Sequence, residues 1–77
     1  MKVRTDYVTT DLYLASFLKA QGMKLIGTER QGRRVSFVFE DRPDRESAVL
    51  EFYNNGVVRI NDFTHAIQDL KAVVFNC

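Results

Sequence analysis

Along this chain the spacing of hydrophobic positions switches between helical and strand-like periods, and each switch marks an element. After Thr9-Thr10-Asp11, the residues Tyr13, Leu14, Phe17, Leu18 and Gln21 recur at three- and four-residue intervals, the spacing of one helix face. A threonine hydroxyl suits the helix start because it accepts from an otherwise unpaired N–H, and Asp11 then lies at the positive end of the helix dipole. Gly22 follows as a left-handed stop. The pattern predicts a helix over residues 11–21.

Two runs, 23–30 and 33–40, flank Gln31-Gly32 and read as a β-hairpin. A two-residue turn at Gln31-Gly32 sets Glu29 across from Arg34, Ile26 from Phe37 and Leu25 from Val38. Apolar residues then face one another and Glu29 gains a cation. The drawback is Arg30 opposite Arg33 at a solvated tip. A three-residue turn pairs Ile26 with Val38 but leaves Glu29 opposite Val35, so the shorter turn is preferred. On that register Val35, Phe37 and Phe39 share the core face with Ile26. Gly27 marks a bulge or the close approach of another backbone.

Asp41-Arg42-Pro43-Asp44 breaks the hairpin off, since proline lacks the N–H a strand needs and suits a turn or a first helical position. A second helix is expected over 44–53, burying Ala48, Val49, Phe52 and Tyr53, with Asn54-Asn55-Gly56 as its stop. Val57-Val58-Arg59-Ile60 reads as a short strand. Asn61 is the expected N-cap of a third helix over 62–74, whose stripe is Phe63, Ala66, Ile67, Leu70 and Val74. Ahead of the first helix, Val3, Tyr7 and Val8 fit either a short strand or a cover for one edge of the core. Residues 1–8 are thus an N-terminal arm and 9–77 a single domain. The order is helix, hairpin, helix, short strand, helix: an α+β domain with helices packed on a two- or three-stranded antiparallel sheet.

Composition narrows the class. Of 77 residues 45% are hydrophobic, and six Phe with three Tyr are too many aromatics for a disordered chain. The longest apolar runs are three or four residues, against the ~20 needed to span a bilayer. Met1-Lys2-Val3-Arg4-Thr5-Asp6 lacks the apolar segment of a secretory signal. The single cysteine, Cys77, rules out an intrachain disulfide or a cysteine metal cage. A reducing, cytoplasmic setting without a membrane partner is the expectation. A chain this short buries only about 60–65% of the surface it exposes unfolded, which leaves little room for an enclosed catalytic pocket. Pairing with a second copy is therefore a standing expectation.

Thr9-Thr10-Asp11-Leu12-Tyr13-Leu14-Ala15, Gly22-Met23-Lys24-Leu25, Val35-Ser36-Phe37-Val38-Phe39-Glu40-Asp41 and Ala66-Ile67-Gln68-Asp69-Leu70-Lys71 together resemble the domain of unknown function 5659 family of bacteria and their phages. The resemblance covers roughly residues 9 to 75 and rests on core and capping positions. It implies a one-domain cytoplasmic protein and brings no activity with it.

Candidate chemistry is sparse. Arg30, Arg33 and Arg34 crowd the hairpin tip, with Arg42 and Arg45 near the start of the second helix. Guanidinium forks match phosphate geometry, so these five are the candidate contacts for an anion or nucleic acid. The competing reading is a solvated turn neutralised by Glu29, Glu40, Asp41, Asp44 and Glu46. With 11 Lys+Arg against 10 Asp+Glu, no overall field favours nucleic acid. Phe37 and Phe39 alternate as stacking residues would, yet the core needs them.

His65, the only histidine, has Asp62 three residues before and Asp69 four after, a spacing common on ordinary exposed helices. A solvated or locally paired histidine is expected there, and one histidine with one cysteine offers no metal site. Tyr7, Tyr13 and Tyr53 suit core boundaries, ring inside and hydroxyl wet. Ser16, Ser36 and Ser47 have no glycine-flanked elbow around them. No cofactor is expected. The leading expectation is a noncatalytic binding or protein-interaction module, with self-association as one form its partner takes. The alternative is a nucleic-acid-binding accessory protein that uses the arginine-rich hairpin tip.

Overall fold

A computed structural model describes residues 6–75. Among them, β1 (Asp6–Thr9), α1 (Leu12–Ala20), β2 (Leu25–Gln31), β3 (Arg34–Glu40), α2 (Arg45–Tyr53) and α3 (Ile60–Phe75) follow in chain order. The strands form one antiparallel sheet in the order β1-β3-β2. The fold is therefore α+β, as the pattern predicts, with three strands. Its extents of 37 × 32 × 17 Å are those of a thin slab.

The choice left open for the N-terminal segment resolves as a strand. β1 pairs Tyr7 with Phe39 and Val8 with Val38, making β3 the central strand. Val3 lies outside the described residues.

α1 begins one residue later than expected, and the capping roles shift with it. Asp11 is the N-cap: its Oδ1 accepts from the Tyr13 N–H at 2.9 Å and the Leu14 N–H at 3.2 Å. Thr9 Oγ1 accepts instead from the Asp11 N–H. At the other end Gly22, at φ +97°, closes the helix as expected. Its N–H donates to the Lys19 carbonyl, and the Met23 N–H donates to that of Leu18, the two bonds of a Schellman cap.

α1 is the middle of the core. Leu14, Ala15, Ser16, Phe17 and Leu18 are all buried, a span wider than one amphipathic stripe, because the helix lies against both other helices and the sheet. Tyr13, expected in the stripe, is 60% exposed. Buried Ser16 donates its hydroxyl to the Leu12 carbonyl at 2.8 Å, so its polar group is satisfied locally. Phe37, Phe39, Met23, Ala48 and Leu70 complete the cluster around α1.

The hairpin register differs from both sequence alternatives. Gln31 pairs with Arg34, Arg30 with Val35, Glu29 with Ser36 and Thr28 with Phe37, so the turn residues are Gly32 and Arg33. The reason lies in the backbone. A two-residue hairpin turn requires positive φ at its first central position, and Gly32 supplies it at +63°. A Gln31-Gly32 turn would have imposed that conformation on glutamine. The resulting shift is corrected further down the strand by an irregularity between Leu25 and Gly27, where Leu25 meets Phe39 and Gly27 meets Val38. Ile26 is thereby squeezed out of the ladder and left exposed, while Leu25 packs on the core. Leu25, rather than Ile26, joins Phe37 and Phe39 on the inner face. The bulge reading of Gly27 holds, with open space around its α-carbon rather than another backbone.

α2 ends as Asn54-Asn55-Gly56 predicts. Asn55 adopts φ +60°, and the Gly56 N–H returns to the Glu51 carbonyl at 2.6 Å. Ala48 is buried, and Val49 and Phe52 pack on the core, with the Phe52 ring 5.7 Å from that of Phe17. Tyr53 faces outward instead, 65% exposed.

The short strand expected at Val57–Ile60 is absent: residues 57–59 are irregular and α3 already begins at Ile60. Both edges of β3 are occupied by β1 and β2, so no central edge remains for this segment. The Phe63 N–H donates to the Arg59 carbonyl, which moves the helix start ahead of the expected cap. Asn61 lies in the first turn and accepts from Thr64 Oγ1 through its carbonyl. The α3 stripe is as predicted: Ala66 and Leu70 are buried, and Phe63, Ile67 and Val74 are half-buried.

Candidate functional site

The five candidate arginines divide into two groups at opposite ends of β3. That strand is seven residues long, which separates its ends by about 20 Å at ~3.4 Å per residue.

At the far end from the hairpin tip, Arg42 and Arg45 hold the α1 and α2 termini to the sheet. Arg42 Nε lies 2.7 Å from Asp44 Oδ1, and its Nη1 reaches the Gln21 carbonyl at 3.3 Å, where α1 ends. Arg45 donates from Nε to Asp41 Oδ1 at 3.2 Å, and its guanidinium sits 4.6 Å from the centre of the Tyr7 ring. That contact combines ring burial with a cation–π attraction. The Arg45 hydrogen bond, aided by the Arg42 N–H, holds the Asp41 carboxyl below its ordinary range, while burial pulls the other way. In the shallow polar hollow over Asp41, Arg42, Pro43, Arg45 and Glu46, both arginines are therefore already paired with carboxylates.

At the hairpin tip the geometry is different. Pairing with Val35 places Arg30 on the inner face, where Nη2 donates to the Val74 carbonyl at 3.4 Å. This caps the negative end of α3 with a cation and ties the hairpin to the helix. Arg33 and Arg34 form no ion pair among the described residues.

Arg33 belongs to a second feature. Between the hairpin, the start of α1 and the last turn of α3 runs an open groove of about 390 Å³. Leu12, Val35, Phe37, Val74 and Phe75 give it an apolar floor and walls, and Arg33, Lys71 and Thr10 supply the polar lining. No carboxylate lines it. Phe75 stands 83% exposed at its end. The groove opens where half-buried Val35 faces inward beside the last turn of α3, with buried Phe37 deeper in its lining.

His65 is exposed on α3 beside Asp62 and Asp69. Lys19 of α1 lies 3.7 Å from Asp69 Oδ2, so one of its two acidic neighbours is shared with a cation. The described residues contain no group of three or more His, Cys, Asp or Glu arranged to hold a metal ion. Nor does any described helix have the length and apolarity to cross a membrane. Of the tyrosines, only Tyr7 occupies the boundary position expected of it, whereas Tyr13 and Tyr53 are mostly exposed.

A family model described as Domain of unknown function (DUF5659) matches residues 4–76. The chain belongs to that family. No curated protein and no solved structure matches it.

Within this DUF5659 domain, sequence reasoning placed Arg33 correctly at the tip but missed its companions. Lys71, Val74 and Phe75 lie some 40 residues away in the chain, and only the sheet order with the α3 packing brings them beside Arg33. The available signal was the α3 pattern itself: Val73, Val74 and Phe75 continue the apolar run past the width of one stripe.

Proposed function

We propose that this DUF5659 domain is a noncatalytic binding module of the cytoplasm, with the groove at the hairpin end as its contact surface. One observation carries the reading: an apolar trough whose charged lining, Arg33 and Lys71, is entirely cationic. A polypeptide segment with apolar side chains flanked by carboxylates suits such a trough. The apolar groups gain from leaving water, and the carboxylates meet guanidinium and ammonium groups at the rim.

A photoreactive residue placed at Val35 tests this in cells. It is expected to crosslink to a polypeptide, while the same residue at Glu29, which pairs with outward-facing Ser36, is expected to capture nothing. No product from Val35, or equal capture from both positions, contradicts the proposal.

Nucleic acid remains the second reading because Arg33 and Arg34 have no ion-pair partner among the described residues. Against it, Arg42 and Arg45 are engaged at the far end of β3, which leaves a footprint of two or three cations. Salt-dependent binding of DNA or RNA that weakens in Arg33→Ala and Arg34→Ala variants would favour it. Absence of any binding at low salt would remove it.

A further inference from the structure

The groove has its chemical counterpart on the same chain. α2 turns Leu50 (55% exposed) and Tyr53 to solvent. Glu46 lies one turn before Leu50 and Glu51 directly after it, both exposed. At 3.6 residues per turn, Glu46, Leu50 and Tyr53 occupy neighbouring positions on one face, with Glu51 bordering Leu50 on its other side. Neither glutamate carboxylate forms an ion pair among the described residues. Val57 and Ile60, 89% and 78% exposed, follow where the chain folds back through the Gly56–Glu51 bond, and they add to the apolar residues near the C-terminal end of α2. The result is an apolar helix face with an acidic border, and the groove is an apolar trough with a cationic border.

We propose that the groove of one copy receives the α2 face of a second copy. The proposal rests on the reading of the groove as a contact surface and names its occupant. Leu50 and Tyr53 enter over Val35, Val74 and Phe75, and Glu46 and Glu51 meet Arg33 and Lys71. Two different surfaces meet, so the contact is heterologous. A single helix face in an open groove lies below the area of a standard stable interface, about 1,600 Å² in total, so the association is weak and concentration-dependent. Its charged border makes it weaken with salt.

Sedimentation equilibrium on the full chain and two charge-reversed variants tests this. Arg33→Glu with Lys71→Glu inverts the groove, and Glu46→Lys with Glu51→Lys inverts the helix face; all four positions are exposed, so the core is untouched. The unaltered protein is expected to show a weight-average mass that climbs with concentration to twice the monomer or beyond. Each variant alone then carries like charge on both surfaces and remains monomeric. A one-to-one mixture of the two variants regains association, because each groove again meets a helix face of opposite charge.

A strict monomer into the millimolar range overturns the proposal, as does association of either variant alone at the unaltered level. A mixture that stays monomeric overturns it as well. Should the protein be monomeric while Val35 still crosslinks to some other polypeptide, self-recognition is wrong and the groove reading survives. If Val35 captures nothing, the groove reading itself is lost.

Discussion

Asp11, Gly56 and Asp41 each hold a chain end or turn in place through a small number of contacts, and each gives a measurable prediction. Asp11 satisfies two otherwise unpaired N–H groups at the start of the most buried helix. Asp11→Ala is expected to lower stability by about 1 kcal/mol, read as a lower denaturant midpoint. Gly56 is confined differently: a Cβ there would sit 2.7 Å from the Glu51 carbonyl oxygen and 3.0 Å from its carbon. Backbone cannot swing aside as a side-chain tip can, so Gly56→Ala should cost about 1–3 kcal/mol in the same assay.

Asp41 predicts a pH effect. Its carboxyl is held below the ordinary value of 3.8, first by the Arg45 hydrogen bond. A depressed folded-state pKa means the contribution is complete above 3.8 and is lost as pH falls from there through the folded value. Arg45→Met removes the principal cause. The stability gap between the unaltered protein and this variant should therefore be steady above 3.8 and shrink below it. A gap that is constant to low pH would show that the pair does not stabilise the fold.

The elements show what a linear pattern can and cannot carry. α1, α2 and α3 were legible because their apolar spacing, Gly22 and the Asn54-Asn55-Gly56 stop act within a few residues. The hairpin was legible as an element but not in register, since cross-strand pairing of like with like outweighed the need for positive φ at the first turn residue. Gly32 settles the turn, and the Ile26 bulge then returns Leu25 to the core. Val57–Ile60 misled for a related reason. Its β-branched residues fit a strand by propensity, yet residues 57–59 join no ladder, and both sides of the central strand β3 are taken by β1 and β2. Val57→Asp is accordingly expected to change stability by less than about 0.5 kcal/mol. A larger loss in the denaturant midpoint would mean that Val57 is packed in solution.

For the molecule as a whole, the thin slab explains both where a site is and where none forms. The sheet's inner face packs on the helices through buried Phe37 and Phe39, and it opens at half-buried Val35, which lines the groove with the end of α3. Only one member of that groove's charged lining, Arg33, stood out in the sequence, because cations at a turn are visible locally. Lys71 was not legible, since its proximity depends on tertiary packing rather than on spacing. Conversely, Arg42 and Arg45 read either as anion contacts or as cations neutralised by Asp41 and Asp44, and the structure pairs them with those carboxylates and adds Gln21 and Tyr7.

Amide chemical-shift mapping tests the groove most directly. The isotopically labelled protein would be titrated with a short acidic amphipathic peptide carrying leucine and tyrosine between glutamates. Shifts are expected to concentrate at Leu12, Arg33, Val35, Lys71 and Val74, and to be abolished by Arg33→Glu with Lys71→Glu. Shifts centred on Arg42 and Arg45, or none at any peptide concentration, would contradict it.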